Sequence, residues 1–172
     1  YTGKHAHLRP LQPAFIMAAT GEAVTYRELE ARCNRLAHLL RRRGLKRLDH
    51  YAVFMENNSR YLEACGAGER SGLYYTCINS YLTPGELAYI VNDSTSKALI
   101  ASHQFLDVAT KALDEHDCPT VELALVIGAP AVLRLALAGQ NATAWGWVLG
   151  GFTVSALALA SGIWSGNSKL FE

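Results

Sequence analysis

Residues 73–102 read LYYTCINSYLTPGELAYIVNDSTSKALIAS, and the order of local signals in this stretch decides the fold class. LYYTCI (73–78) is rich in β-favouring aromatic and branched side chains and predicts a strand. Thr83-Pro84-Gly85-Glu86 then fits a capping box, in which the Thr83 hydroxyl accepts a first-turn amide proton and the Glu86 carboxylate reaches back to the cap. Pro84 falls at the first helical position, where its missing N–H costs nothing. The helix that follows runs to about Asn92 and turns Leu87, Ile90 and Val91 to one face. KALIAS (97–102) returns to an apolar run. A strand, a helix and a strand in this order form a crossover unit, which joins parallel strands.

The same grammar extends in both directions. Upstream, Thr25-Tyr26-Arg27-Glu28 is a second capping box, opening a helix that places Leu29, Cys33, Leu36, Ala37 and Leu40 on one face. Arg41, Arg42 and Arg43 sit in its last turn, where the helix dipole favours cations, and Gly44 supplies a left-handed stop. YAVFM (51–55) predicts a strand, and Asn58 or Ser59 predicts a cap for a helix that carries Leu62 and Cys65 and ends near Gly72. Downstream, a helix through Phe105, Val108, Ala109 and Leu113 leads to VELALVIG (121–128), a further strand. The expected fold is α/β, three-layer and doubly wound, with a mostly parallel sheet.

Composition sets a boundary in this pattern. Of 16 basic and 15 acidic residues, only Arg134, Lys169 and Glu172 lie beyond Gly128, and no charge at all falls between Leu135 and Ser168. This divides the chain into an α/β unit over residues 1–128 and an apolar segment over residues 129–172. The net charge of +1 provides no long-range field that would favour nucleic acid or acidic lipid. The opening YTGKHAHLRPLQP has no apolar signal core, so the four cysteines Cys33, Cys65, Cys77 and Cys118 are expected to be reduced, buried small side chains in a cytoplasmic setting. The sequons at Asn57, Asn92 and Asn141 are then chance matches. The chain opens on Tyr1 rather than Met, which fits a fragment, a processed chain or an imperfect gene start.

Few groups could carry chemistry. His5 and His7 share one face of an extended segment but have no third metal ligand beside them. RRRGLKR (41–47) could meet phosphate, yet it coincides with a helix end. Asp114, Glu115 and Asp117 lie before Cys118-Pro119, where acids solvate a turn. No nucleophile elbow, HExxH or Walker A loop occurs. No catalytic, cofactor-binding or metal-binding residue is assigned.

PAFIMAATGEAVTYRELEARCNRLAHLLRRRGL (13–45) and ERSGLYYTCINSYLTPGELAYIVNDS (69–94) resemble, in order and spacing, the opening of the AMP-forming acyl-CoA synthetases of the adenylate-forming superfamily, particularly the fatty-acyl type. The resemblance covers about residues 10–128 and departs at two points. Tyr74 to Cys77 stand where the family has a small-residue run with a proline, and Leu48-Asp49 stands where it commonly has Gly-Asp. The resemblance implies a cytoplasmic two-step ligase acting on a carboxylic or fatty acid, ATP and coenzyme A with magnesium. The family's Ser/Thr/Gly-rich phosphate loop, adenine motif, ribose-binding Asp and catalytic Lys have no counterpart here. The chain is therefore expected to be inactive alone and to need no cofactor of its own. Its alternatives are a membrane-tethered, non-catalytic binding module and a decayed gene product.

The apolar segment leaves three readings open. Trp145 and Trp164 bracket a stretch that as a helix would span roughly 28 Å at about 1.5 Å per residue, close to a bilayer core. Gly146 and Gly150 add a GxxxG spacing. A membrane helix over about residues 144–164 is one expectation, a buried hairpin or core helix the second, and an unstructured or aggregation-prone tail the third; a shifted reading frame after residue 128 is a further expectation for the origin of this tail.

Overall fold

The structure is a computed structural model that describes residues 2–127, 132–137 and 145–150. These residues fall into two compact units, Tyr1–Asp49 with Glu56–Tyr75, and His50–Met55 with the chain from Thr76 onward.

In the first unit, α1 (Thr2–Leu8) precedes an antiparallel hairpin of β1 (Pro13–Ile16) and β2 (Ala23–Thr25). Gly21, at φ +72°, closes the turn between them. The chain then enters α2 (Tyr26–Arg42), whose start is the capping box read from the sequence. Glu28 Oε2 accepts the Thr25 amide at 2.8 Å, and Thr25 Oγ1 accepts the Glu28 amide at 3.3 Å. The Thr25 amide, with its hydroxyl, holds the Glu28 carboxyl below the usual carboxylate range. Leu29, Cys33, Leu36, Leu39 and Leu40 are the buried stripe, and Gly44 ends the element at φ +98°.

α3 (Tyr61–Ser71) packs on α2 through small residues. Neither Asn58 nor Ser59 caps it. The N-cap is Arg60, with no side-chain cap bond, while Asn58 Oδ1 accepts the Arg60 amide at 2.8 Å in a turn before the helix. Gly72 stops it at φ +67°, as its position predicted.

The second unit is built on a four-stranded sheet. Its strands are β3 (His50–Phe54), β4 (Tyr74–Ile78, of which the part from Thr76 falls in this unit), β5 (Ala98–Ser102) and β6 (Leu123–Ile127), in the order β4-β3-β5-β6. β3 with β5, and β5 with β6, are parallel. The chain steps from β3 to β4 on one side, then crosses to β5 and β6 on the other. The α/β class with a parallel sheet is thus as expected.

α4 (Pro84–Asp93) starts on the second capping box, with Glu86 Oε2 accepting the Thr83 amide at 2.9 Å. A 3₁₀ turn, His103–Phe105, leads into α5 (Leu106–Glu115). Ala52, Phe54, Leu99, Ala101, Ala124 and Val126 share one sheet face and cluster with Leu87, Ala88 and Val91 of α4 and Ala109, Ala112 and Leu113 of α5. Each fully buried Leu or Phe contributes about 1.5–3 kcal/mol. Tyr51, Val53, Ile100 and Leu125, on the opposite face, are buried as well, which is why the strands read as continuous apolar runs rather than as alternating ones.

β7 (Val132–Leu137) and β8 (Trp145–Gly150) form an antiparallel pair. Trp145–Gly150 is therefore a strand and not the first turns of a membrane helix. Trp, Val and Leu favour the pleated conformation, and glycines at 146 and 150 weaken a helix. On a strand the GxxxG spacing has no helix-packing meaning. Residues 151–164 of the expected span lie outside the described residues. Among the described residues no helix is long and apolar enough to cross a membrane.

One departure from the resembling family has a physical signature. Leu48 holds φ +73°, a left-handed conformation that costs a side-chain-bearing residue roughly 1–2 kcal/mol. Its amide donates to the Gly72 carbonyl at 2.8 Å, which fixes that turn. The side chain is 54% exposed and contributes little burial. Leu48→Gly is expected to stabilise the protein by about 0.5–1 kcal/mol after glycine's own entropic cost, and so to raise Tm by a few degrees in a thermal melt. An unchanged or lower Tm contradicts this.

Candidate functional site

In an open parallel sheet, ligands bind beyond the carboxyl ends of the strands where the strand order reverses. Here that switch point is between β3 and β5. β3 ends in Phe54 and leads to buried Met55; β5 ends in buried Ser102, followed by exposed His103 and Gln104. Phe105 sets its ring 5.4 Å from that of Phe54 at 56°, which anchors the 3₁₀ turn to the sheet. This edge offers one hydroxyl, one imidazole and one amide from this unit.

The groups that the sequence brought forward are not gathered there. His5 and His7 lie on helix α1 and not on an extended segment. Two positions apart on a helix is about 200°, so they do not share a face. His5 stacks on Tyr26 with ring centroids 5.0 Å apart, while His7 is exposed. Asp114, Glu115 and Asp117 are all exposed at the end of α5, as acids solvating a turn should be. The main-chain oxygen of Asp117 accepts the Asn92 side-chain amide at 2.7 Å, linking the ends of α5 and α4. Arg41 and Arg42 occupy the last turn of α2, with Arg43 at its C-cap.

The cysteines are free thiols in three different settings. Cys33 and Cys65 are buried as expected, Cys118 is half-buried, and Cys77 is exposed on the edge strand β4, contrary to expectation. Burial pushes the Cys33 thiol up to about 11, so it carries almost no thiolate near neutral pH and is a packing group. Burial raises Cys118 as well.

Sequence reading missed a polar cluster among the described residues. Arg70 of α3 meets both oxygens of Glu30 of α2, with its Nη2 at 2.6 Å from Oε2. It also donates to Thr2 Oγ1 at 2.8 Å and Asn34 Oδ1 at 3.0 Å. The guanidinium hydrogen bonds hold the Glu30 carboxyl below the usual range, against burial, which raises it. Every partner in this cluster is occupied by another, so it is a staple joining α1, α2 and α3.

Among the described residues no three His, Cys, Asp or Glu side chains gather as a metal site. An apolar crevice beneath α5, lined by Leu99, Ala101, Leu106, Ala109, Leu113 and Val126, has room for about one water molecule and cannot hold an acyl chain. No reaction step is assigned to these residues.

A family profile described as "AMP-binding enzyme" matches residues 3–153. The chain belongs to this family. The AMP-binding match runs across Gly128, where the charge pattern changes. Among curated proteins, a long-chain-fatty-acid–CoA ligase of Escherichia coli O6:H1 is 34% identical over 105 residues, covering 60% of this chain and 18% of that protein. A fatty acid–[acyl-carrier-protein] ligase, ScoC, of Streptomyces coeruleorubidus is 31% identical over 110 residues, covering 64% of this chain and 21% of that protein. The chain thus spans about a fifth of the length of these relatives. Among solved structures, a Mycobacterium tuberculosis fatty acyl CoA synthetase superposes with a TM-score of 0.65 at 27% identity, over 74% of this chain and 25% of that one. In this AMP-binding chain the capping boxes at Thr25–Glu28 and Thr83–Glu86 close their hydrogen bonds on themselves and fix the starts of α2 and α4.

Proposed function

We propose that this chain is the N-terminal α/β portion, three-layer and doubly wound, of an AMP-forming carboxylic acid ligase of the fatty-acid type. The reaction class is activation of a carboxylate as an acyl-adenylate with release of pyrophosphate, followed by transfer to a thiol with release of AMP. The relatives' names support the acid: both curated proteins act on fatty acids. They differ in the thiol acceptor, coenzyme A in one and acyl carrier protein in the other, and coenzyme A is the reading taken here from the resemblance. ATP, magnesium and the thiol would be held by parts for which these 172 residues contain no motif.

The observation that carries this reading is the family match over most of the chain, together with two capping boxes in their expected places. It is tested by replacing the equivalent segment of the Escherichia coli ligase with residues 10–127 of this chain. Fatty-acid-dependent ATP–pyrophosphate exchange should persist within about tenfold, a change of about 1.4 kcal/mol in barrier. A folded chimera with no exchange above background contradicts the reading.

A further inference from the structure

The near-zero net charge of this protein conceals a local separation of charge on α2 and the turn after it. Between Ala31 and Leu48 the sequence contains Arg32, Arg35, Arg41, Arg42, Arg43, Lys46 and Arg47 and no acid. Both carboxylates of α2 are committed inside the fold, Glu28 to its capping box and Glu30 to Arg70. Arg32 faces Glu22 at 4.0 Å. The other six cations are exposed, and none makes an ion pair with a described residue. Arg35, His38 and Arg42 lie within one stripe on the outer side of α2, opposite the buried Leu36 and Leu40. A helix C-terminus is served by one or two cations in its last turn. Here the charge continues two turns back along the helix and beyond its end.

We propose that this face docks on an anionic lipid surface. Charge complementarity supplies the attraction, each cation held near such a surface adding about fivefold to the binding. Leu48 favours lipid over a soluble polyanion, because it sits 54% exposed directly after Lys46 and Arg47, as an apolar tip among cations that would enter the headgroup layer. No Phe, Tyr or Trp occurs between Arg27 and His50, so the face has no platform on which nucleic-acid bases would stack. The proposal does not depend on the ligase reading, since docking needs no catalysis.

The test is cosedimentation of the full chain with vesicles of phosphatidylcholine alone and of phosphatidylcholine mixed with phosphatidylglycerol. Binding should require the anionic lipid and weaken steeply as salt is raised. R41Q/R42Q/R43Q should bind about 100-fold more weakly, with an unchanged far-UV spectrum. L48G should bind the anionic vesicles several-fold more weakly while its binding to heparin, a soluble polyanion, stays unchanged. K111Q, on an exposed lysine paired with Asp107 far from this run in sequence, should bind as the wild type does. Equal binding to neutral vesicles, failure of the arginine substitutions to weaken binding, or tighter binding to duplex DNA than to anionic vesicles would each overturn the proposal.

Discussion

Replacing Arg70 by alanine should cost about 2–3 kcal/mol of folding stability, measured by urea unfolding followed by far-UV circular dichroism. The side chain of Arg70 is only 7% exposed and that of Glu30 21%, so the substitution leaves a largely desolvated carboxylate without its counter-ion. Breaking a fully buried pair in this way costs about 3–5 kcal/mol, and the residual exposure of Glu30 places this case at or below that range. Thr2 and Asn34 also lose their shared partner. The control is R70A/E30A, which removes the stranded charge and should lose less than the sum of the single substitutions.

The pH dependence has a definite sign. Glu30 has a lower pKa in the folded protein than in the unfolded chain, so between the two values the unfolded state binds more protons. The contribution of the pair is therefore fully present above the unfolded value of about 4.3 and is lost as pH falls through the folded one. The stability gap between wild type and R70A should be large at neutral pH and should close in strong acid. A gap independent of pH contradicts the ion-pair account.

Gly66→Val should be about as damaging, at roughly 3 kcal/mol, because α2 and α3 approach each other through this position. A β-carbon built on Gly66 falls 2.6 Å from Cys33 Sγ, a separation at which something must move. Cys33 is fully buried and has nowhere to go. Its only torsion would have to carry the sulfur out of contact with the Leu62 carbonyl, 3.8 Å away. The smaller G66A should lose about 1–2 kcal/mol, since alanine's helix preference recovers part of the clash. In a C33A background the sulfur is absent, and G66A should become neutral or stabilising. Destabilisation by G66A that persists in C33A would contradict the packing account.

These two positions show where sequence reading stops. The caps of α2 and α4 were legible because each closes within four residues, Thr25 with Glu28 and Thr83 with Glu86. The stops at Gly44 and Gly72 were legible because a positive φ selects glycine. Strands β3, β5 and β6 were legible as apolar runs, a consequence of burial on both faces, and β4, which is half-exposed, by its aromatic and branched side chains. Arg70 and Glu30, by contrast, are 40 residues apart, and nothing in ERSG or ELEA says that they meet. Gly66 looks like an ordinary weak helix residue until Cys33 is placed beneath it. The β1–β2 hairpin escaped because its strands are only four and three residues long, too short for an alternating pattern to register. α1 escaped because TGKHAHL has no apolar stripe; its Thr2 is tied to Glu30 and Arg70.

The switch point between β3 and β5 emerged only from strand order. Sequence can place a strand without showing which neighbour it takes. The tail illustrates the converse limit. Apolar length and flanking tryptophans suggested a helix over residues 144–164, whereas Trp145–Gly150 pairs as a strand. Hydrophobicity alone does not separate these two ways of satisfying a backbone.

We propose that these residues supply the scaffold of an AMP-forming ligase and none of its reacting groups. The decisive measurement is isotopic ATP–pyrophosphate exchange by the purified 172-residue chain with fatty acid and magnesium present. No exchange above the protein-free background is expected. Fatty-acid-dependent exchange by the chain alone would contradict it.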